Sequence, residues 1–377
     1  MPSHADRPAN PVFVAIGDND ARMFSMDTRE RAERLAGNAK LEVARAVERG
    51  RAALLGNLQF AWDPAWLGEV ARRPGSALMV EGRPVLVNVP ASDDPAPVAA
   101  AMTGDAAFQP DGYQLLDPQT AELSTMALRK RERPFAMPLS SATAAQAERA
   151  AYDASYKGVT DVLTLYLWRR PAFHLVRWAA GAGISPNMVT LVGFLLCVAA
   201  FWLFWVGQYW AGFAAGFAFM VLDTVDGKLA RCTGSSSKWG DIFDHGVDLI
   251  HPPFWWWAWA HGLDGVGLAL EPVYKSMVVG AIVSGYIAGR LIEGLFVKKH
   301  GIEIHIWRPI DSKFRLITAR RNPNMLILFV SLLAGRPDVG IELVALWTLL
   351  SLIFHAVRLA QANARADRGR KIISWLS

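Results

Sequence analysis

Asp223 and Asp226 are three residues apart, and Asp244 and Asp248 are four apart. On a helix each pair shares one face. Gly-Ser-Ser-Ser at 234–237 lies between the pairs and supplies a turn. A helical hairpin would therefore bring four carboxylates together. The flanks are apolar, "WAGFAAGFAFMV" before and a tryptophan-rich run after. A charge at the centre of a membrane helix costs roughly 3 kcal/mol on insertion scales, and four carboxylates also repel. Divalent cations would relieve both penalties. An all-oxygen set, with no cysteine or paired histidine, favours Mg²⁺ or Mn²⁺ over zinc. Four carboxylates suit two ions, the arrangement that clamps a phosphoryl group. Two other readings compete. The carboxylates could simply pair with Arg231 and Lys238, as in an inactive membrane scaffold, or they could form the acidic site of a cation transporter.

The elements that must hold these residues are apolar segments of membrane length. Six spans are expected, at 188–206, 208–230, 240–261, 275–297, 323–337 and 339–361, most of them near the ~20 residues that a bilayer core requires. "SPNMV" (185–189) and "NPNML" (322–326) place proline where a helix opens. Ahead of the spans, 159–183 mixes Leu, Trp and Phe with Arg169, Arg170 and Arg177 and reads as an amphipathic helix on the membrane surface, broken near Pro171. Residues 140–158 read as a connecting helix. The "PPFWWWAW" run (252–259) reads as packing and interface belt.

The chain has 377 residues, 52% hydrophobic and 19% charged. That average covers two unlike halves. Residues 1–139 alternate strand and helix patterns, "PVFVAIG" at 11–17, a helix over 28–50 and a hairpin around Glu81-Gly82, which predicts a small α/β domain. The opening "MPSHADRPANP" has no apolar core, so no cleavable signal peptide is expected. The net charge of +5 sits in clusters beside apolar runs, which points to membrane flanks rather than nucleic acid. Basic residues concentrate after spans two and four and in the tail. Both termini are therefore expected in the cytosol, with the aspartates at the cytoplasmic face of the inner membrane. The two cysteines make neither a zinc spacing nor a disulfide framework. The expected fold class is mainly α: a six-transmembrane-helix bundle (188–361) preceded by an interfacial amphipathic helix (within 140–187) and a small cytosolic α/β domain (1–139), with a basic cytosolic tail (362–377).

The aspartate stretch reads Asp-x-x-Asp-Gly-x-x-Ala-Arg, eight residues, then Gly-x-x-x-Asp-x-x-x-Asp, with fixed positions Asp223, Asp226, Gly227, Ala230, Arg231, Gly240, Asp244 and Asp248. This resembles the motif of the CDP-alcohol phosphotransferase (CDP-alcohol phosphatidyltransferase) family, and the resemblance extends over about 155–361. It implies an integral-membrane enzyme that moves a substituted phosphate from a CDP-linked donor to an acceptor alcohol, releases CMP, and acts in phospholipid or polar-lipid synthesis. The donor is CDP-diacylglycerol or a soluble CDP-alcohol. The resemblance also implies a homodimer. By motif position, Asp223, Asp226, Asp244 and Asp248 would bind the two ions, and Asp248 would take the proton of the attacking hydroxyl. Gly227 would let the donor pyrophosphate approach the backbone, Arg231 and Ser237 would hold donor phosphate oxygens, and Asn187 and Thr190 would line the nucleotide site. An alcohol needs such a base at neutral pH.

Further residues carry weaker signals. Arg290 is a charge inside the fourth span and so a functional candidate, with Glu293 three residues on as a structural partner. Family members that use a phosphorylated acceptor hold it with arginines of the later spans, so Arg290 with Arg320 or Arg321 is expected at the acceptor's phosphate. Lys157 and Asp161 either touch the nucleotide or cap the surface helix. Asp241 and His245 read as supporting groups. "VFVAIGDNDARMF" (12–24) is similar to a worn nucleotidyltransferase opening without its Gly-rich loop. The first domain is accordingly expected to be structural or regulatory, and a chain beginning near Ser140 to keep its transferase activity.

Overall fold

The computed structural model describes residues 10–125, 128–236 and 238–377; the side chains at 125, 238, 239, 241, 244 and 245 lie outside that description. Two expectations therefore fall outside it, the role of Ser237 and the side-chain roles of Asp241, Asp244 and His245.

The N-terminal part is an α/β sandwich. Its six-stranded sheet uses β1 (Val12–Ile16), β2 (Val43–Ala44), β3 (Ala53–Asn57), β4 (Ser76–Val80), β5 (Arg83–Val89) and β6 (Gln114–Leu116), in the spatial order β2-β1-β3-β5-β4-β6. Along β1 the side chains alternate: Phe13 and Ala15 enter one core with α1 (Thr28–Asn38) and α2 (Pro64–Ala71), while Val12 and Val14 enter another with α3 (Ala96–Thr103). That is the period-2 alternation of a strand buried on both faces. The β4–β5 hairpin turns at Glu81 (φ +51) and Gly82 (φ +76), the two positive values that a type I′ turn needs. A second hairpin, β7 (Leu123–Thr125) and β8 (Lys130–Glu132), leads towards the helical half.

Next come α4 (Ala144–Ala154), a π-turn at Leu163–Leu167 and α5 (Arg169–Gly181). The break falls at Trp168, just before Pro171. The α5 helix buries Ala172, Phe173, Val176 and Ala179, yet leaves Trp178 exposed, as are Tyr166 and Leu167 of the π-turn. The inward face packs into one core with α4 and α7, and the outward aromatic and basic residues fit an interfacial helix.

The helical half contains α6 (Pro186–Trp205), α7 (Tyr209–Thr233), α8 (Lys238–Gly262), α9 (Pro272–His300), the short α10 (Pro309–Arg315), α11 (Arg321–Leu333) and α12 (Pro337–Asp367). Ser185 caps α6 by accepting from the Met188 N–H, with Pro186 behind it. Among the described residues three helices are long and apolar enough to cross a membrane, α6, α9 and α12. The six expected spans thus become three strong candidates and three qualified ones. The α7 and α8 helices have the length but carry the site's charges, and α11 has 13 residues, about 20 Å at 1.5 Å per residue. Pro323 is the third residue of α11, so that helix starts earlier than its proline suggests. Trp255, Trp256 and Trp259 of the tryptophan run are buried in the bundle core, as packing predicts.

The halves are joined. Arg31 of α1 donates through Nε to Cys232 O at 3.2 Å, and Asn38 Nδ2 donates to Gly234 O at 2.9 Å. The carbonyls that end α7 are thereby satisfied from the α/β domain. The backbone N–H of Phe24 donates to Glu148 of α4 at 2.6 Å, and Ser124 of β7 donates to Leu376 O at 2.9 Å. A freely separable first domain is not what these contacts describe.

Candidate active site

The α7–α8 hairpin forms around Gly234, whose φ of +65° lets α7 stop in a left-handed cap. Asp223 and Asp226 then lie on α7, with Asp248 on α8. Asp244 lies one helical turn before Asp248 by position. The first three do not face empty space. Arg321, the first residue of α11, donates Nη2 to Asp223 Oδ2 and Nη1 to Asp248 Oδ1, each at 2.7 Å. One guanidinium fork thus spans the two helices, resting against the Phe219 ring at 4.8 Å. Asp226 is 4% exposed and is oriented by two donors, Thr190 Oγ1 at 2.6 Å and the Gly227 N–H at 2.5 Å.

Asp223, Asp248 and Arg321 open into a cavity of about 450 Å³. Among the described residues eight Lys and Arg side chains line it, against Asp161, Asp223 and Asp248. Such an excess of positive charge suits a ligand with several negative ones. Arg231 and Gly227 are both on its wall; a methyl on Gly227 would stand 3.1 Å from Arg231 Nη2, so the glycine leaves that guanidinium its place. Lys228, which the motif does not point to, is buried there, donating to Ser155 O at 2.9 Å over the Tyr156 ring. Asp161 caps the π-turn through the Thr164 N–H and hydroxyl and also lines the cavity. Lys157 lines it too. Burial, then Arg129 and Arg231, push its pKa down to about 8.

The expected acceptor arginines separate. Arg321 is on the aspartates. Arg290 and Arg320 line the cavity but converge on Glu293, at 3.2 Å and 2.6 Å. Glu293, His305 and His355 bring potential ligand atoms within 4.8 Å of one another. However, Arg320 Nη2 lies 2.6 Å from each Glu293 oxygen and 3.1 Å from His305 Nε2. A cation in that cluster would meet a guanidinium at contact distance. Burial holds His305 well below the ordinary imidazole range, so it is neutral and can accept from Arg320. The cluster is a clamp for an arginine. Asn187 is exposed on the first turn of α6, away from the cavity lining, whereas Thr190, one turn on, reaches Asp226.

The carboxylates fit a hard divalent cation: the donors are all oxygens, and Asp223 and Asp248 converge on one positive group from two helices. A second cavity, about 520 Å³ and apolar, lies between α6 and α8, lined by Phe194, Val198, Ile242, Val247 and Phe254 among others.

A helical membrane half with a carboxylate site beside a cationic cavity defines an enzyme that handles phosphorylated substrates at a bilayer. Residues 183–354 match the CDP-alcohol phosphatidyltransferase family. Over that segment the chain is similar to this family of transferases, whose members move a substituted phosphate from a CDP-alcohol to an acceptor alcohol in lipid synthesis. An archaetidylinositol phosphate synthase of Pyrococcus horikoshii is 28% identical over 203 residues, 53% of this chain and 95% of the relative. A phosphatidylinositol phosphate synthase of Mycolicibacterium smegmatis is 31% identical over 137 residues, 33% of this chain and 60% of the relative. Cholinephosphotransferase 1 of Gallus gallus is 34% identical over 130 residues, 31% of this chain and 37% of the relative. The chain therefore spans nearly all of the archaeal relative and less than two thirds of the other two.

Proposed function

We propose that this protein transfers the phosphate of a CDP-linked lipid to a phosphorylated polyol. The observation that carries the reading is the shared cavity: Asp223 and Asp248 open into the same space as Arg231, Lys228, Arg290 and Arg320. A neutral acceptor would leave much of that charge unmatched. The names of the archaeal and mycobacterial relatives, an archaetidylinositol phosphate synthase and a phosphatidylinositol phosphate synthase, support a phosphorylated polyol. The apolar cavity between α6 and α8 supports a donor with hydrocarbon chains, since His251, one turn beyond Asp248 on α8, lines it.

Asp223, Asp226, Asp244 and Asp248 would hold two Mg²⁺ or Mn²⁺ ions. When bound, these would neutralise charge on the transferred phosphate and on the leaving CMP. Arg231 and Lys228 hold donor phosphate oxygens from α7. Asp248, with 44% of its side chain exposed to the cavity, accepts the proton of the acceptor hydroxyl. The hydroxyl oxygen attacks phosphorus in line, the bond from phosphorus to the bridging oxygen breaks, and CMP departs with that electron pair. Arg290 and Arg320, with Arg321 as it exchanges the aspartates for substrate, provide the positive field for the acceptor's own phosphate. Thr190, bonded to Asp226, stands on the nucleotide side, whereas Asn187 lies off the cavity lining.

The six helices α6, α7, α8, α9, α11 and α12 form the membrane bundle. The α7–α8 turn, the α9–α11 connection and the C-terminal tail all meet the α/β domain, which supports one cytosolic face for them. Purified protein in vesicles with Mg²⁺ and CDP-diacylglycerol should release CMP when given inositol 1-phosphate or glycerol 3-phosphate, and far less with free inositol or choline. A neutral alcohol as the better acceptor would overturn the substrate assignment.

A further inference from the structure

The cations of the cavity are not equivalent. Arg321 is taken up by Asp223 and Asp248, Arg290 and Arg320 by Glu293, and Lys228 by Ser155 O. Arg315 is different. It ends α10, lines the cavity, is 9% exposed, and its Nε and Nη1 are buried without a hydrogen-bond partner. Buried guanidinium N–H groups left unmade are costly, and an oxyanion is the ligand that their planar fork fits.

Two more cations line the same cavity. Lys157 precedes the π-turn. Arg129 comes from the α/β domain, in the turn that leads into β8, where its own φ is +50°. Arg129 is held in place by Glu303 at 2.9 Å, and its Nη1 donates to Val159 O at 3.4 Å. The hairpin is seated closely. The Gly158 N–H donates to Leu128 O at 2.8 Å, and a methyl on Gly158 would fall 2.6 Å from Arg129 O and 2.7 Å from Lys130 Cβ. Lys130 also donates to Ala154 O and pairs with Glu132. Of the nearby carboxylates, Glu303 is paired with Arg129, and Asp161, bonded to Thr164, offsets part of the positive charge beside Arg315. Positive charge is thus gathered here from β7–β8, the 155–160 segment and α10.

We infer that Arg315, Lys157 and Arg129 form a binding site for a phosphate monoester, so that the N-terminal domain supplies one wall of the acceptor site. The assignment of this phosphate to the acceptor rests on the proposed transfer reaction; the anion site itself does not. Burial, then Arg320, push Arg315 down to about 9, and similar crowding acts on Lys157, as expected of cations gathered around a place for an anion.

The test is binding of inorganic phosphate to the full-length protein in detergent with EDTA present, measured by titration calorimetry at pH 7. Arg315→Ala should weaken phosphate binding by roughly 10- to 100-fold, and Arg129→Ala by about tenfold. Gly158→Ala removes no charge but displaces the hairpin, and it should weaken binding in the same direction. Arg315→Lys, which keeps a cation if the alanine variant fails to fold, should bind phosphate at intermediate strength. Unchanged affinity in Arg315→Ala, or in Arg315→Lys where the alanine variant cannot be purified, overturns the site. A loss confined to the Arg315 variants overturns the part given to the N-terminal domain. Competition between CMP and phosphate in the parent protein moves the site to the donor and overturns the acceptor assignment. Phosphate binding that follows this pattern in a protein without transfer activity leaves the site standing and removes the reaction.

Discussion

Arg321 donates to Asp248 at 2.7 Å from a different helix, and the same fork reaches Asp223 at 2.7 Å. With its side chain 10% exposed, this arginine holds together α7, α8 and α11. It also stands where a divalent ion would draw the same two carboxylates. Arg321→Ala should therefore lower the melting temperature in EDTA, because breaking a buried pair leaves charge uncompensated, at about 3–5 kcal/mol for full burial and less here since Asp248 is partly exposed. The same variant should bind Mn²⁺ more tightly and recover more stability on Mg²⁺ addition than the parent. A Mg²⁺-induced rise in melting temperature no larger than the parent's would show that arginine and metal do not compete.

Thr190 and Asp226 give a graded test. The hydroxyl donates at 2.6 Å to a buried carboxylate, and such charge-assisted bonds contribute roughly 1.5–3 kcal/mol. Thr190→Val should lower kcat/KM about tenfold or more, while Thr190→Ser should restore most of it. Asn at 223, 226, 244 or 248 should abolish transfer, as should EDTA on the intact enzyme. Full activity in any one of these four variants would contradict the two-ion site.

Lys157 supplies a pH test. Its pKa is pushed down to about 8 from 10.5, first by burial, then by Arg129 and Arg231, with Arg315 adding to this and Glu303 opposing. The folded value lies below the unfolded one. Below about pH 8 both states hold the proton, and the cost of the buried cation is present in full. Between about 8 and 10.5 the folded state releases it first, so the cost fades as pH rises. Lys157→Met should stabilise the protein at pH 7, by on the order of 3 kcal/mol, and the gain should vanish towards pH 10.5. The same variant should bind phosphate less well. A gain in stability that is flat across this range would mean that the lysine is not a strained cation.

The aspartate motif could be read from the sequence because it is local. Helical spacing and a Gly-Ser turn fix which face the carboxylates share, and they hold whatever packs around them. Arg290 with Glu293 was also within reach, from i, i+3 spacing, whereas the resemblance marked Thr190 for the nucleotide site and gave no sign of its bond to Asp226. What the sequence hid is the exchange of partners. Arg320 and Arg321 are adjacent, yet one turns to Glu293 and the other to Asp223, because neighbouring positions on a helix start face different directions. Arg129 had no signal at all. It sits in another domain, 94 residues before Asp223 in the numbering, and reaches the cavity through a hairpin whose docking depends on Gly158. Span counting was weaker than motif reading for a physical reason: α7 and α8 carry the candidate site's charged residues, which lower their hydropathy.

The join between the halves gives the last prediction. The sequence suggested that residues before Ser140 could be removed without loss of transfer. In the structure Arg31 and Asn38 satisfy the carbonyls of Cys232 and Gly234, at the end of the helix that carries Asp223 and Asp226. Arg31 is 6% exposed, and the carbonyl that it leaves would be buried without a partner. A chain starting at Ser140 should therefore have a lower melting temperature and less than about a tenth of the parent's kcat/KM, a loss of about 1.4 kcal/mol or more in transition-state stabilisation. Arg31→Ala alone should destabilise by roughly 1–3 kcal/mol, from the lost hydrogen bond at a buried site, with a smaller effect on rate. Adding the 1–139 fragment back should restore part of the activity if docking is what matters. A truncated protein that transfers phosphate at the parent's rate would show that α7 keeps its end, and its aspartates, without help from the α/β domain.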